Sequence, residues 1–520
     1  MSMEETRIAK TAGFLMVIMI GSRIVGYLRD IIIYSQFGQN RMTDAYNAAF
    51  SIPDFLYILL VGGALSSAFI PVFSGYIAND RQEEAWEVAS IMFNFLMILL
   101  AAGIAVGMVF TPQLVRLIVP GFEPEFVALT VLMTRIMFLQ VILMSMAGVS
   151  QGILHAFKHF RAPALGSILY NVGIIVVGVL LSARFGIVGF SIGVVAGAAL
   201  NFGVQIPALM KKKFRYHFKL DLSNPGVQKI LLLILPILLG QSFIYLNLFI
   251  TQNLASGLEG GMIASLRLAE RLMKLPIAVI GLSMAIALFP TLAGYAAKGD
   301  MDQYHRSFLV TVRNVLFLAI PASVGLAVMA RPLIRFMYQQ GAFDAVATRD
   351  SATALIFYTF GITAYCGYHV LTRSFYALSD TRTPVLISGV AMGINLALSL
   401  LLVRVLGHGG LALAYSLTGV FNAGCMLFFL RRKVGFLGGH KMLQTTRKTL
   451  VASGAMGICV WAVTRGLEPV LDTGVKLNQG VIAVSGVLVG VAVFMALTRI
   501  LGMDEERSAR RMFLARLGRR

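Results

Sequence analysis

The chain has 520 residues, of which 58% are hydrophobic and 13% charged, with a mean hydropathy of +0.80. Soluble domains carry about 25% charged residues, so this is the composition of an integral membrane protein. The formal charge of +20 implies no nucleic-acid partner here, and Cys366, Cys425 and Cys459 lack the CxxC spacing of a metal or disulfide framework.

Fourteen apolar segments follow in chain order, near residues 11–34, 43–75, 86–111, 125–154, 163–184, 187–210, 228–255, 262–296, 306–331, 350–378, 384–406, 410–431, 447–466 and 479–501. Most have the roughly 20 residues needed to cross about 30 Å of hydrocarbon. Their periodicity is helical, and no sustained ten-residue alternation suggests an outer-membrane barrel. The first segment runs into Arg23 and Arg29 rather than a small-residue cleavage site, so it is expected to stay as a first helix.

That segment holds Ser22-Arg23-Ile24-Val25-Gly26-Tyr27-Leu28-Arg29-Asp30. An ionised side chain at the bilayer centre costs about 2.5–3.5 kcal/mol even on lenient scales, and persists where it faces protein or a wet cavity. Arg23 and Asp30 are seven residues apart and share a helix face, whereas Arg29 points about 120° away from Arg23. In segment 2, Asp44 stands beside Thr43 and is read either as an N-cap or as a site residue. Asp54 follows Pro53, where a kink frees backbone groups, and reads as local structure. In segment 8, Arg267, Glu270, Arg271 and Lys274 fall at i, i+3, i+4 and i+7 and form one charged stripe. These residues either contact a substrate or make interhelical ion pairs such as Asp30 with Arg271; Lys274 has the further option of snorkelling to an interface. The excess of cations at membrane depth suits an anionic cargo.

Basic residues cluster in alternate connections, at 211–215, at 431–433 and in the tail from Arg507 to Arg520. The positive-inside rule therefore places both termini in the cytoplasm. The stretch 504–520 reads as a basic amphipathic helix on anionic lipid, with Met512, Phe513, Leu514 and Leu517 as its apolar side. The chain also repeats at an offset of roughly 220 residues. Ala68-Phe69-Ile70-Pro71 returns as Ala287-Leu288-Phe289-Pro290, Leu114-Val115-Arg116 as Leu333-Ile334-Arg335, and Phe160-Arg161-Ala162-Pro163 as Thr381-Arg382-Thr383-Pro384. Six spans per repeat is an even number, so both halves share one orientation, as in alternating-access transporters. The expected architecture is all-α and polytopic: about 14 transmembrane helices in two parallel six-helix repeats plus two extra C-terminal helices. Its parts are an N-lobe over 1–215, a C-lobe over 216–440, helices 13 and 14 within 441–503, and the tail 504–520.

No Gly-rich phosphate loop follows a strand, so ATP hydrolysis is not expected. The seven histidines show no ligand spacing, and Asp380-Thr381-Arg382-Thr383-Pro384 reads as a turn and helix start. A membrane glycosyltransferase would need a carboxylate on a substantial extracytoplasmic loop, and none exceeds roughly 20 residues. A cation-coupled drug exporter should have an acid-rich cavity.

The residues resemble the MurJ/MviN lipid II flippases, within the multidrug/oligosaccharidyl-lipid/polysaccharide exporter superfamily. The likeness is carried by residues 22–30, Thr43-Asp44-Ala45, Gly62-Gly63-Ala64-Leu65-Ser66 with 68–73, Pro120-Gly121-Phe122, residues 270–276, Phe375-Tyr376 and 380–384. It implies a non-enzymatic flippase moving an undecaprenyl-diphosphate-linked peptidoglycan precursor across the bacterial cytoplasmic membrane. A flippase for another polyprenyl-linked glycan is the nearest rival. The resemblance further implies two lobes, a lipid-tail groove beside helices 13 and 14, and a cationic cavity in which Arg23, Arg29 and Arg271 engage the headgroup. Asp30 and Asp44 would lie nearby, with Arg267 and Glu270 as further site residues. Lipid II and membrane lipids are the expected partners, with association to cell-wall synthesis proteins by a monomer. Two departures matter. Tyr57 and Gly62 stand where some relatives carry a basic residue and an acid, and Asn247 and Ser399, beside Asn395, stand where some carry sodium-binding acids. No metal or other cofactor is assigned.

Overall fold

The computed structural model describes residues 3–59, 68–212, 216–435 and 437–507. The motif 62–66, Lys213 to Arg215 and the tail beyond 507, with its apolar side Met512 to Leu517, lie outside the described residues. Every regular element among the described residues is helical. Ten stretches are long and apolar enough to cross a membrane by length and composition. The chain divides into two compact units, Met1–Ile263 and Ala264–Arg520.

The first unit contains α1 (Met3–Phe37), α2 (Arg41–Ala49), α3 (Ser51–Tyr57), α4 (Ile70–Ala78), α5 (Gln82–Ile118), α6 (Pro124–Ala156), α7 (Arg161–Phe185), α8 (Val188–Gly203), α9 (Ile206–Lys211) and α10 (Pro225–Ser256). Helix α10, read from sequence as the start of the second lobe, thus falls in the first unit. Segment 43–75 is not one continuous α-helix: α2 stops at Ala49 and α3 begins at Ser51. Pro53 sits in the first turn of α3, where a missing N–H costs little. The break lies beside the kink expected at Pro53.

Helices in lipid gain little from hydrophobic exclusion and associate through close packing of small residues. The α7–α8 hairpin shows this, because a Cβ on Gly197 would lie 2.3 Å from the Tyr170 carbonyl oxygen. The hairpin's backbones can approach only because glycine stands there. Around α4, α5 and α6 the core is aromatic: Phe73 lies 5.5 Å from Trp86, which stacks on Phe157 at 5.5 Å. Phe69 and Phe73 are fully buried, and so is Leu292 of the second unit, with Leu288 7% exposed. Both copies of the repeated motif therefore bury equivalent positions.

The second unit begins within α11 (Met262–Pro276), followed by a π-helical turn at Ile277–Leu282 and α12 (Ser283–Lys298). Pro276 has no N–H for the carbonyl four residues back, and widening of the helix just after it absorbs that mismatch. Then come α13 (Met301–Val328), α14 (Ala330–Tyr338), α15 (Ala345–Ala377), α16 (Arg382–Val434), α17 (Gly439–Leu467) and α18 (Lys476–Ile500). Helix α16 breaks at Gly407, whose φ of 56° and ψ of −135° no β-carbon-bearing residue adopts readily. The break falls between predicted segments 11 and 12. Helices α13, α17 and α18 share a small core in which Phe317 and Phe494 lie 5.2 Å apart.

After α18 the chain turns back onto this core. Arg313 Nε donates to Thr445 Oγ1 at 3.0 Å and to Glu505 Oε1 at 2.8 Å, with Glu505 and Glu506 buried. The predicted basic tail therefore starts with two buried acids rather than at a lipid surface.

Candidate substrate-binding site

In the first unit the site is built on α1. Arg29 donates from Nε and Nη2 to Asp30 Oδ1 at 3.0 and 2.8 Å, and from Nη1 to Asn171 Oδ1 of α7 at 3.2 Å. The side chains of Arg29 and Asp30 are 16% and 14% exposed, enclosed but not sealed. Neighbouring helical residues diverge by about 100°, and the long guanidinium arm spans that angle to reach Asp30. Tyr46 and Tyr170 are electrostatically coupled to Arg29. Arg23, two turns earlier, is exposed, and Ser167 Oγ donates to Ser22 Oγ beside it at 2.7 Å.

Asp44 is fully buried and accepts the Gly261 N–H at 2.7 Å. Capping of α2 falls instead to Asn40, which accepts from Met42 and Thr43 N–H while its own N–H donates to Thr43 Oγ1. Asp44 is thus a clamp on the turn after α10. Arg41 binds the same turn, donating to the Ser256 and Leu258 carbonyls at 3.0 and 2.6 Å, and Gly121 N–H donates to Ser256 Oγ at 3.1 Å. The Thr43-Asp44 and Pro120-Gly121-Phe122 motifs converge there for structural reasons.

In the second unit, α11 separates its faces sharply. Leu266, Leu268, Ala269, Leu272 and Met273 are buried, whereas Arg267, Glu270, Arg271 and Lys274 keep solvent contact. Lys274 Nζ lies 2.7 Å from Glu270 Oε1, with the two side chains 58% and 19% exposed. The stripe expected from spacing therefore exists as a polar wall. Beside it, Tyr365 stacks on Tyr415 at 4.8 Å, and Tyr358 meets Tyr415 edge-on at 5.7 Å. Arg373 lies over the rings of Phe289 and Tyr376.

Asn395 donates to Thr418 Oγ1 and accepts from Ser399 Oγ, a buried neutral group without a carboxylate. Outside the spans, Asp380 accepts from Thr383 N–H, Thr383 Oγ1 and Lys433 Nζ. Although burial opposes it, these donors bring the Asp380 carboxyl down to about 2.

Sequence reasoning missed Asn171 and Tyr170. Their signal was polarity inside the apolar run 163–184; their partners could not be read because Asn171 meets Arg29 across 142 positions.

A sequence model of the family described as lipid II flippase MurJ matches residues 33–477. The probable lipid II flippase MurJ of Rhizobium tropici is 30% identical over 499 residues, covering 93% of this chain and 92% of the relative. The lipid II flippase MurJ of Burkholderia cenocepacia is 29% identical over 451 residues, covering 84% and 87%. Among solved structures, a lipid II flippase MurJ in an inward closed conformation aligns with a TM-score of 0.78 at 25% identity, over 94% of this chain and all of that one. An inward-facing multidrug resistance MATE transporter of the MOP superfamily shares the fold, with a TM-score of 0.70 at 17% identity over 79% of this chain and 94% of its own.

Proposed function

The chain belongs to the MurJ lipid II flippase family, and from that premise we propose how it handles its cargo. It is a multi-pass inner-membrane transporter of lipid II, not an enzyme. The observation that carries the reading is the family match across most of the chain. Arg23, Arg29 and Arg271 are the anion-binding groups, because guanidinium binds phosphate oxygens through paired, charge-assisted hydrogen bonds. Asp30 orients Arg29, Glu270 and Arg267 shape the charged face of α11, and Asp44 acts through the turn it clamps. Movement from the cytoplasmic to the outer leaflet follows by alternating access of lobes 1–215 and 216–440, the polyprenyl tail lying along helices 13 and 14 of 441–503.

Fourteen spans are supported by counting both halves of α16 and adding α1, α10 and the run 43–75 to the ten long apolar stretches. Two parallel repeats and cytoplasmic termini follow from the sequence offset and the alternating basic loops. We also keep a monomer associated with cell-wall synthesis proteins, with the tail 504–520 on the cytoplasmic side.

The test is complementation of cells depleted of their lipid II flippase. The intact chain should restore growth, and Arg29→Ala and Arg271→Ala, matched for membrane abundance, should not. Failure of the intact, inserted chain would overturn the cargo assignment; rescue by both variants would overturn the headgroup site.

A further inference from the structure

Between α9 and α10 the chain runs as a strap along α5, a contact that cargo binding leaves unused. Residues 216–221 form no regular element. Asn94 Nδ2 donates to the His217 and Lys219 carbonyls at 3.2 and 2.9 Å, and the His217 N–H donates to Ser90 Oγ at 3.0 Å. The Tyr216 hydroxyl donates to Asn94 Oδ1, and Lys219 pairs with Glu87. These partners stand at 87, 90 and 94, on one face of α5. The strap leaves its apolar side chains uncovered: Phe218 is 93% exposed, Leu220 54% and Leu222 42%.

Depth and charge identify what covers them. Helix α5 has 37 residues, about 55 Å at 1.5 Å per residue, against about 30 Å of hydrocarbon. No charged residue lies between Glu87 and Arg116, so the docking face falls at one edge of the hydrocarbon rather than in bulk water. A backbone lying there needs protein partners, and Asn94 and Ser90 supply them. Cations gather beside the strap. Lys212 lies over the Phe157 ring at 5.3 Å, and Phe157 stacks on Trp86, next to Glu87. Burial first, and then the charges of Lys212, Arg161 and Lys211, hold the His159 imidazole below its usual range. Lys158 and Lys211 are exposed, whereas Glu84 and Glu87 at this end of α5 are already paired with Arg81 and Lys219.

We propose that this face is a binding surface for anionic phospholipid. Phe218, Leu220 and Leu222 enter the acyl boundary, and Lys158, Lys211 and Lys212 meet lipid phosphates. The two contributions act together, as apolar insertion and cationic attraction do for other interfacial segments. Held by α5 on one side and by lipid on the other, the connection between α9 and α10 is fixed at the membrane edge. The proposal stands apart from the cargo and from the headgroup site.

The full chain carrying Trp461→Phe, with and without Phe218→Trp, is reconstituted in nanodiscs of phosphatidylcholine with a minority of phosphatidylglycerol. Buried Trp86 is then the common background. Bromine is placed on the acyl chains of one lipid or the other, at equal mole fraction. The indole introduced at 218 should be quenched in both cases, and about twofold more when phosphatidylglycerol carries the bromine. Combined Lys158→Gln, Lys211→Gln and Lys212→Gln should remove that preference and keep the quenching. Monodispersity on size exclusion establishes that each variant is folded. An unquenched indole overturns the surface, and one that is unquenched in a chain eluting as a dimer assigns the strap to a second copy instead. Equal quenching by both lipids overturns the anionic preference, and a preference that survives the triple variant overturns the role of the lysines. Each failure leaves the flippase assignment standing.

Discussion

The Arg29–Asp30 pair separates a structural salt bridge from a substrate contact through a double-mutant cycle. Removing one member of a buried pair costs about 3–5 kcal/mol because the other charge is left uncompensated. Both side chains here retain some exposure, so about 2–3 kcal/mol is expected for Asp30→Ala. That should lower the melting midpoint of the purified chain by on the order of 5 °C. Arg29→Ala should cost a similar amount, since it takes two hydrogen bonds from Asp30 and removes the donor to Asn171. The double variant leaves neither charge behind, so it should recover about 2 kcal/mol relative to the summed single effects. Transport should behave otherwise. If Arg29 binds the diphosphate, the double variant must remain inactive in depleted cells although it is about as stable as either single variant and matched for membrane abundance. A double variant that supports growth would refute the headgroup role and leave the pair as structural. A strictly additive melting cycle would refute the pairing energetics.

Two further outcomes follow from local geometry. The Asp380 carboxyl, held down to about 2 by Lys433 and Thr383, is a depressed acid. Its contribution is therefore complete above about pH 4 and is lost as pH falls toward 2. Allowing for the partial exposure of Lys433, Asp380→Asn should cost about 1–2 kcal/mol at neutral pH and progressively less as pH falls through about 2, read from melting curves across pH. Gly197→Ala should cost about 2–3 kcal/mol, because its Cβ would meet the Tyr170 carbonyl at 2.3 Å. Gly75→Ala, with nothing within 4 Å in helix α4, should be neutral or raise stability by about 0.5–1 kcal/mol. Equal melting shifts for the two glycines would contradict the packing argument.

What could be read in advance divides along physical lines. Long apolar runs announce helices, and the break at Gly407 was visible because a glycine-rich interruption separated two such runs. The α11 stripe was visible because helical spacing alone brings Arg267, Glu270, Arg271 and Lys274 to one face. The interruption at Phe50 lies three residues before Pro53, where a kink was expected because proline lacks an N–H for the carbonyl four residues back. Asp44 was ambiguous for another reason: its role depends on Gly261, 217 positions away, and no local pattern carries that information. The acids at 504–506 were overlooked because net charge over 504–520 is basic, and an average cannot show that Glu505 finds Arg313 and Thr445.

Arg29 pairs with Asp30 on its own helix, and Lys274 with Glu270 on its own helix. Arg29 also keeps donors in reserve. A guanidinium offers five N–H groups, of which Asp30 accepts two and Asn171 one. Two remain for a further acceptor without disturbing the contacts that orient the side chain. Lysine, with three donors and no fork, would have none to spare after holding Asp30 and Asn171. This explains why arginine rather than lysine suits position 29.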